Sequence, residues 1–256
     1  YSIPVSDLRN CSLEELAQRL NTKIFPNSSK DIVRATPNSV FAFDLEKIAL
    51  INKYSAKFQH FESFCEDIAN GVCTSCDNIY IVPEKIVKEL NLEFGYLKPC
   101  IRGGQLNRYF CPKTTHEYLL YITDDFEIKK GKNIYDYLLR NKETLIAKSV
   151  EKKDGNRKWH VLFRSRYPAL FAAPKILIRQ TADRIIAADD DKVGYYCINS
   201  VNMAIIKPEY RNKIKYFLCL LNSSFLNFFY REISQQSGRI HAEDKPQRIR
   251  PLPIPH

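Results

Sequence analysis

The stretch PKILIRQTADRIIAADDDKVGYYCINSVNMAII, residues 174–206, decides the fold of this chain. Residues 175–178 form a short apolar run that is typical of a buried strand, and residues 195–206 repeat this character. The polar segment between the two runs carries Arg179, Gln180, Thr181 and Arg184. Arg and Gln side chains can each make two hydrogen bonds to the edge of a guanine or an adenine. A base-reading loop is one interpretation of the segment, and an ordinary polar loop between strands, which the segment alone favours, is the other.

The length and composition indicate a globular protein. A chain of 256 residues has enough material for one large domain or two modest ones, and 45% hydrophobic and 12% aromatic residues argue against disorder. No apolar run approaches the roughly 18 residues that a membrane helix needs, and no secretory signal is visible, so we expect a soluble protein. The chain begins at Tyr1 and its single Met is Met203, which predicts that it is a fragment of a longer protein.

The excess of positive over negative charge is confined to the second part of the chain. The formal net charge is +10, and residues 148–256 carry 20 Lys and Arg against 10 Asp and Glu. The preceding residues, 1–147, carry 19 of each sign. A basic excess in one region is typical of a surface that binds a polyanion, with phosphate contacts supplying the affinity. A merely basic, soluble surface is the alternative.

Eight cysteines raise the question of a metal site. Cys73 and Cys76 are the only close pair, and Cys100, Cys111 and His116 are the nearest further candidate ligands. A structural zinc site usually has a second close pair, which is missing here, so we assign no metal ligand and expect reduced thiols. A zinc-containing protein-interaction module stays open as a less favoured function.

Two further segments combine basic, polar and aromatic side chains. Residues 97–109 place Arg102 and Arg108 around a Gly103-Gly104 pair, which permits a close approach to a partner or a simple turn. Residues 159–171 alternate Arg164 and Arg166 with polar and aromatic residues, a pattern that suits phosphate contacts and also suits a strand with an exposed polar face.

The element pattern predicts an α+β fold with a curved, mixed or mainly antiparallel sheet and helices packed outside it. Short apolar strands are mixed with amphipathic helices without a regular βαβ alternation. The predicted strands lie near residues 79, 119, 161, 176, 196 and 204. We expect helices at residues 12–24, 45–54, 84–92 and 134–150, and a C-terminal helical pair in residues 208–235 that is joined near Asn222-Ser223.

The order of these pieces resembles the TaqI-like C-terminal specificity domain, the target recognition domain of adenine-specific DNA methyltransferases and type IIG restriction enzymes. The pieces that carry the resemblance are residues 67–82 (DIANGVCTSCDNIYIV), 97–109 (LKPCIRGGQLNRY), 159–181 (WHVLFRSRYPALFAAPKILIRQT), 194–206 (GYYCINSVNMAII), 216–230 (YFLCLLNSSFLNFFY) and 248–255 (RIRPLPIP). The chain departs from the family at Thr74-Ser75-Cys76, where the family usually has a Thr-Gly pair.

The resemblance implies a domain that selects a site on double-stranded DNA while an upstream domain binds S-adenosylmethionine and methylates an adenine swung out of the helix. Residues 1–60 then form a lead-in that follows a missing methyltransferase domain of the same chain, and residues 61–256 form the recognition domain. The sequence contains no Asn-Pro-Pro-Tyr motif and no glycine-rich cofactor loop, so this fragment should bind DNA and not catalyse. S-adenosylmethionine, and Mg²⁺ if the parent cleaves DNA, belong to the parent enzyme, which we expect in a prokaryotic cytoplasm.

The resemblance also suggests separate roles for the polar residues. We predict that Arg179, Gln180 and Arg184 read bases, since a loop leaving a core strand places them accurately, and that Arg102, Arg108, Arg164 and Arg166 contact the DNA backbone. The competing class is the specificity subunit of a type I restriction system, whose recognition domains are similar and act with separate methyltransferase chains. Two recognition units joined by long spacer helices would favour that class, and this chain shows one unit.

Overall fold

The structure, a computed structural model, describes residues 2–3, 41–42, 45–190, 194–234 and 246–255. The chain divides into two compact units, Tyr1–Tyr54 and Ser55–His256. In the first unit, β1 (Ser2–Ile3) pairs antiparallel with β2 (Phe41–Ala42). Helix α1 (Leu45–Lys57) begins at the residue where a helix was predicted. The predicted helix at residues 12–24 lies outside the described residues. The assignment of residues 1–60 as a lead-in to a recognition domain stays a prediction.

The second unit mixes short strands and helices. Its strands are β3 (Gln59–His60), β4 (Cys65–Asn70), β5 (Ile81–Pro83), β6 (Leu97–Ile101), β7 (Glu117–Leu120), β8 (Lys175–Arg179), β9 (Ala187–Asp189), β10 (Tyr196–Cys197), β11 (Val201–Ile206) and β12 (Pro253–Ile254). Its α-helices are α2 (Asp77–Tyr80), α3 (Glu84–Glu89), α4 (Lys132–Arg140), α5 (Lys142–Ala147), α6 (Val150–Lys153), α7 (Pro168–Ala172), α8 (Ile214–Leu221), α9 (Ser224–Ser234) and α10 (Pro246–Ile249). Shorter 3₁₀ helices cover Phe61–Phe64, Phe94–Tyr96, Gly103–Gln105 and Pro208–Lys213.

The main strands form two four-stranded sheets. Sheet A has the order β10-β6-β7-β5, with β10 parallel to β6 and the other pairs antiparallel. Sheet B has the order β4-β11-β8-β9 and is antiparallel throughout. The α+β class with mainly antiparallel pairing is therefore confirmed, although the predicted strands belong to two sheets. Apolar residues of both sheets pack into one hydrophobic core.

The centre of sheet B explains why residues 174–206 dominate the sequence pattern. Every residue of β11 is buried, and so are the first four residues of β8, which explains why both strands are apolar over most of their length. The one charged group in these runs is Lys175, whose Nζ lies 2.5 Å from Asp190 Oδ2 and donates to the Phe171 carbonyl at 2.5 Å. Asp190 also accepts from the Tyr195 backbone N–H at 3.0 Å. The buried charges are thus paired and hydrogen-bonded, as a core site requires.

One predicted strand begins later than expected and another does not form. The strand predicted near residue 79 begins at Ile81, because the N–H groups of Ile79 and Tyr80 both donate to the Cys76 carbonyl and close the helical turn α2. Residues near 161 form a buried loop in which Val161 and Leu162 face the core. The Leu162 N–H donates to the Ile122 carbonyl at 2.9 Å, but no ladder of such bonds continues along this part of the described chain.

The helical predictions that fall on described residues hold in type and differ in length. The predicted helix 134–150 is divided into α4, α5 and α6. Asn141, with φ −108° and ψ 11°, ends α4, and the extended residue Ser149 precedes α6. The C-terminal helical pair is α8 and α9, and Ser223 lies between them, where its Oγ accepts from the Leu226 N–H at 3.2 Å as an N-cap does.

Candidate nucleic-acid interface

The turn at residues 198–200, which we name the crossing turn, connects β10 of sheet A to β11 of sheet B. The sequence predicted strands near residues 196 and 204 within one apolar stretch, and the chain changes sheets between these two strands. The Asn199 N–H donates to the Val72 carbonyl at 2.8 Å. The Ser200 carbonyl accepts from the Gln180 N–H at 2.8 Å, and Ser200 Oγ accepts from the Gly103 N–H at 2.9 Å. Three separate polar segments therefore meet at this turn.

Two glycines allow this close approach. A Cβ at Gly103 would lie 2.5 Å from the Ser200 carbonyl oxygen and 3.3 Å from Arg179 Cγ. A Cβ at Gly71 would lie 2.2 Å from the Cys197 carbonyl oxygen. Both distances to oxygen are below any contact that a side chain tolerates, so these positions require glycine. The close approach expected at Gly103 is made within the protein, whereas Gly104 faces open space.

Arg179 and Gln180 leave the end of β8 directly beside the crossing turn. Arg179 lies opposite Val201, and its N–H donates to the Ile186 carbonyl at 3.0 Å. The backbone at both residues is thus fixed by hydrogen bonds to neighbouring strands. Both side chains are half-buried, and within the described ranges neither makes a hydrogen bond or an ion pair. Arg184 is exposed, and its guanidinium lies 3.4 Å from the carboxylate of Asp183.

Arg102 joins the same cluster with its charge already compensated. Its guanidinium makes two contacts with the Glu117 carboxylate, from Nη2 to Oε1 at 2.9 Å and from Nε to Oε2 at 3.1 Å. The Arg102 N–H donates to Gln105 Oε1 at 2.7 Å, which closes the short 3₁₀ helix that begins at Gly103. A bidentate Arg–carboxylate pair is geometrically favourable, so a phosphate would have to compete with Glu117 for this guanidinium.

Arg108 is held on a tight turn next to β9. Its Nη2 donates to the Asn222 carbonyl at 2.7 Å, and its guanidinium lies 5.5 Å from the centre of the Tyr109 ring. The Asn222 side chain donates to the Ala187 carbonyl and accepts from the Ala187 N–H, at 2.8 and 3.0 Å. The end of α8 therefore ties this turn to β9, at the same end of sheet B as Arg179.

Arg164 and Arg166 reach the cluster through the segment at residues 71–73. The backbones of Arg164 and Cys73 exchange two hydrogen bonds, at 2.9 and 3.0 Å, and the exposed Arg164 guanidinium lies 5.2 Å from the centre of the Phe163 ring. Arg166 Nε donates to the Gly71 carbonyl at 3.4 Å. Its own carbonyl accepts from the Tyr121 hydroxyl at 2.6 Å, and its backbone has a φ of 61°. Arg164 and Arg108 are the exposed members of the predicted phosphate contacts, and Arg108 is bound to the Asn222 carbonyl.

Residues 74–76, where the chain departs from the family pattern, include Cys76 of the close cysteine pair. Ser75 has a φ of 64°, the left-handed conformation that glycine adopts without strain, at the position where the family usually has Gly. The Cys76 N–H donates to Thr74 Oγ1 at 3.1 Å.

Burial raises the pKa of the Cys100 and Cys111 thiols to about 12. In the part of the chain that the structure describes, no group of three or more His, Cys, Asp or Glu residues is arranged to hold a metal ion.

The family model of the TaqI-like C-terminal specificity domain matches residues 98–254. The chain belongs to this family. The match includes every polar residue predicted to contact DNA and excludes residues 67–82, which the sequence resemblance had included. The excluded residues nevertheless supply β4 and the Gly71 contact to the crossing turn of this specificity domain.

Among solved structures, the specificity domain is similar in fold to the type IIL restriction-modification enzyme MmeI in complex with DNA, with a TM-score of 0.50 and 14% identity. The similarity covers 70% of this chain and 23% of that chain, so this chain spans about a quarter of the length of its structural neighbour. No curated protein matches the chain. None of the helices in the described ranges is long and apolar enough to cross a membrane.

The crossing turn, which brings residues 72, 103 and 180 together, was not predicted from the sequence. Asn199-Ser200 is a pair with turn preference, so a signal was present inside the apolar run. The partners of the basic residues had no local signal, because Glu117 is 15 residues from Arg102 and Asn222 is 114 residues from Arg108.

Proposed function

We propose that the chain is the sequence-specific duplex-DNA recognition domain of a restriction-modification enzyme whose other parts methylate adenine at N6, and which cleaves DNA if a nuclease domain is also present. The observation that carries this proposal is the family match over residues 98–254, the region that contains all seven predicted contact residues. The restriction-modification enzyme MmeI, which is similar in fold, is in complex with DNA, and this supports DNA as the partner of this chain. The chain itself binds DNA and leaves catalysis to the parent enzyme.

Base reading is proposed for Arg179, Gln180 and Arg184. Within the described residues the side chains of the first two make no hydrogen bond or ion pair, and their backbone N–H groups donate to the Ile186 carbonyl and to the crossing turn. Such a side chain loses little freedom when it makes two hydrogen bonds to a base edge, because its backbone is already in place. Arg184 is more exposed and carries only an exposed contact to Asp183, which a base edge can displace.

Phosphate contacts are proposed for the four remaining Arg residues, with unequal weight. Arg164 has no carboxylate partner within the described residues, so its charge is fully available to a phosphate. Arg102 shares its guanidinium with Glu117, and Arg108 shares its own with the Asn222 carbonyl. Each phosphate neutralised steepens the fall of affinity with salt, and Arg164 should contribute more to that slope than Arg102.

The parent enzyme supplies the remaining parts in this proposal. A methyltransferase domain upstream in the same chain binds S-adenosylmethionine, and a nuclease site, if present, binds Mg²⁺. No residue of the specificity domain is assigned to either group. We place the enzyme in a prokaryotic cytoplasm, where restriction-modification takes place. Sequencing the coding region upstream of residue 1 tests this part, because an Asn-Pro-Pro-Tyr motif and a cofactor loop are expected there.

The binding proposal is tested with the purified 256-residue chain. Duplexes are selected from a randomised library, and fluorescence anisotropy is measured on a selected and a scrambled duplex at two salt concentrations. Arg179→Ala should cost about 1–3 kcal/mol on the selected duplex and relax the preference at one base pair. Arg164→Ala, the matched control with the same change of charge, should weaken binding to both duplexes equally and reduce the salt slope by about 1.

Three results would count against these assignments. Absence of binding at low salt would refute DNA binding by the isolated chain. An unchanged base preference in Arg179→Ala, together with an altered one in Arg164→Ala, would reverse the two roles. An Arg102→Ala variant that lowered the salt slope more than Arg164→Ala would show that Glu117 gives up its partner on binding. Urea unfolding of each variant checks that its fold is retained.

A further inference from the structure

A tight turn at residues 107–110, which we name the aromatic turn, exposes two large aromatic side chains side by side. Tyr109 is 48% exposed and Phe110 is 55% exposed. The turn is closed by two backbone hydrogen bonds, from the Asn107 N–H to the Phe110 carbonyl at 3.1 Å and from the Phe110 N–H to the Asn107 carbonyl at 3.0 Å. Adjacent exposed aromatics on one turn form an apolar projection, and such projections generally mark a binding surface.

The aromatic turn is held rigidly in a strained conformation. Tyr109 has a φ of 64°, which is costly for a residue with a Cβ. Its N–H donates to the Ala187 carbonyl at 2.9 Å, and the guanidinium of Arg108 is bound to the Asn222 carbonyl at 2.7 Å. Anchors to two different elements, β9 and the end of α8, keep the strained turn in place. The aromatic side chains are thus presented on a fixed backbone.

The aromatic turn lies beside the proposed base-reading residues. It contacts Ala187, the first residue of β9, and Ala187 is the register partner of Ile178 in β8. The next residue of β8 is Arg179, whose N–H donates to the Ile186 carbonyl at 3.0 Å. The aromatic turn and Arg179 therefore contact the consecutive residues Ala187 and Ile186, at the same end of sheet B.

We propose that the aromatic turn is a wedge that inserts into a base step of duplex DNA at the edge of the recognised site. This inference rests on the proposed function. Proteins that distort DNA commonly push apolar or aromatic side chains between base pairs and hold the flanking phosphates with basic groups. Arg108 supplies such a basic group at the turn, and within the described residues it has no carboxylate partner. Tyr109 and Phe110 supply the stacking surface.

A wedge has an energetic signature that ordinary surface contacts lack. Separating a stacked base step costs a few kcal/mol, and a mismatched step is already partly unstacked. The protein should therefore bind a duplex with one mismatch at the wedged step more tightly than the matched duplex. This mismatch preference should disappear when the wedge is removed, whereas phosphate contacts are the same on both duplexes.

The test uses the 256-residue chain and library-selected duplexes that carry a single mismatch at each step within and beside the site. Wild-type protein should bind one mismatched duplex more tightly than the matched one. Phe110→Ala should lower affinity for the matched duplex by about 5- to 150-fold, the range measured for the loss of one stacked base, and should abolish the mismatch preference. The matched control is Phe94→Ala, which removes the same side chain from a 72% exposed position and should behave as wild type.

The outcomes separate this inference from the proposed function. If wild-type protein fails to bind any duplex, the proposed function is refuted and the wedge with it. If wild-type protein selects a duplex but shows no mismatch preference, or if Phe110→Ala binds as Phe94→Ala does, the wedge alone is refuted. If Phe110→Ala instead changes the elution volume of the free protein, the turn contacts a second copy, and the wedge is again refuted. Urea midpoints show whether Phe110→Ala is folded, and Phe110→Leu, which keeps an apolar side chain without a ring, provides a second variant.

Discussion

The buried pair of Lys175 and Asp190 allows a prediction whose size follows from the structure. The two side chains are 0% and 5% exposed, and Nζ lies 2.5 Å from Oδ2. In Asp190→Asn the ammonium of Lys175 keeps the Phe171 carbonyl as an acceptor but loses its counter-charge. In Lys175→Met the Asp190 carboxylate keeps the N–H groups of Gly194 and Tyr195 but loses its counter-charge. Leaving one buried charge unpaired costs about 3–5 kcal/mol.

The double variant Lys175→Met/Asp190→Asn should recover most of that loss. It buries no charge, and the single amide oxygen that the second substitution introduces can still accept from the Tyr195 N–H, the shorter of the two backbone hydrogen bonds that Asp190 accepts. We expect the double variant to be less destabilised than either single variant, because the penalty comes from unpaired charge and not from the absence of the pair. Base preference in DNA binding should be unchanged in any variant that remains folded.

Urea unfolding, followed by circular dichroism, measures these differences. With a slope of about 2–3 kcal/mol per molar urea, a loss of about 3–5 kcal/mol moves the midpoint down by about 1–2 M. The slope itself should stay constant, since a changed slope would indicate a change in the unfolded state. The reasoning is refuted if Lys175→Met shifts the midpoint by less than about 0.3 M. It is equally refuted if the losses of the two single variants simply add in the double variant.

Three further outcomes follow from individual contacts. Ser75→Gly should stabilise the protein by about 1 kcal/mol in urea unfolding, because it relieves a φ of 64° and removes a buried hydroxyl without a partner. Gly103→Ala should destabilise by about 1–3 kcal/mol and relax the DNA base preference, since the new Cβ would meet the Ser200 carbonyl oxygen, whereas Gly104→Ala should stay within about 0.5 kcal/mol of wild type. Burial lowers the pKa of Lys152 from 10.5 to about 8, so between these pH values the unfolded chain binds more protons and the contribution of Lys152 to stability rises with pH. Lys152→Met should therefore exceed wild type in urea midpoint near pH 7, and this advantage should shrink as the pH rises above 8; an advantage that stays constant with pH would contradict the assignment.

The strongly buried strands could be predicted from the sequence, because β8 and β11 are apolar over most of their length. The same signal misled at Val161 and Leu162, which are buried in a loop. An apolar pair indicates burial and not a strand. A backbone ladder needs a second segment that supplies successive hydrogen-bond partners, and at this pair only the Ile122 carbonyl accepts, from the Leu162 N–H. Ile79 lies in a single helical turn of four residues, which is too short for any periodicity to reveal.

The residue types of the candidate site could be predicted from the sequence, but the contacts between these residues could not. Arg179 and Gln180 stand at the end of a core strand that the sequence reveals, and their role in base reading stays a prediction. The pairing of Arg102 with Glu117 depends on β6 and β7 lying side by side, and so it emerges only with the fold. The aromatic turn was also overlooked, since the sequence does not show whether Phe110 points into the core or into solvent.

The pairing of β3 with β12 has a consequence for how specificity changes between proteins. Residues 59–60 near the start of the second unit hydrogen-bond to residues 253–254 near its end, with His60 opposite Pro253. A module whose entry and exit points lie side by side can be excised and replaced by another without altering the distance that its neighbours must bridge. Under the proposed function, a recombination event, or a designed graft, at these two strands would exchange one target sequence for another.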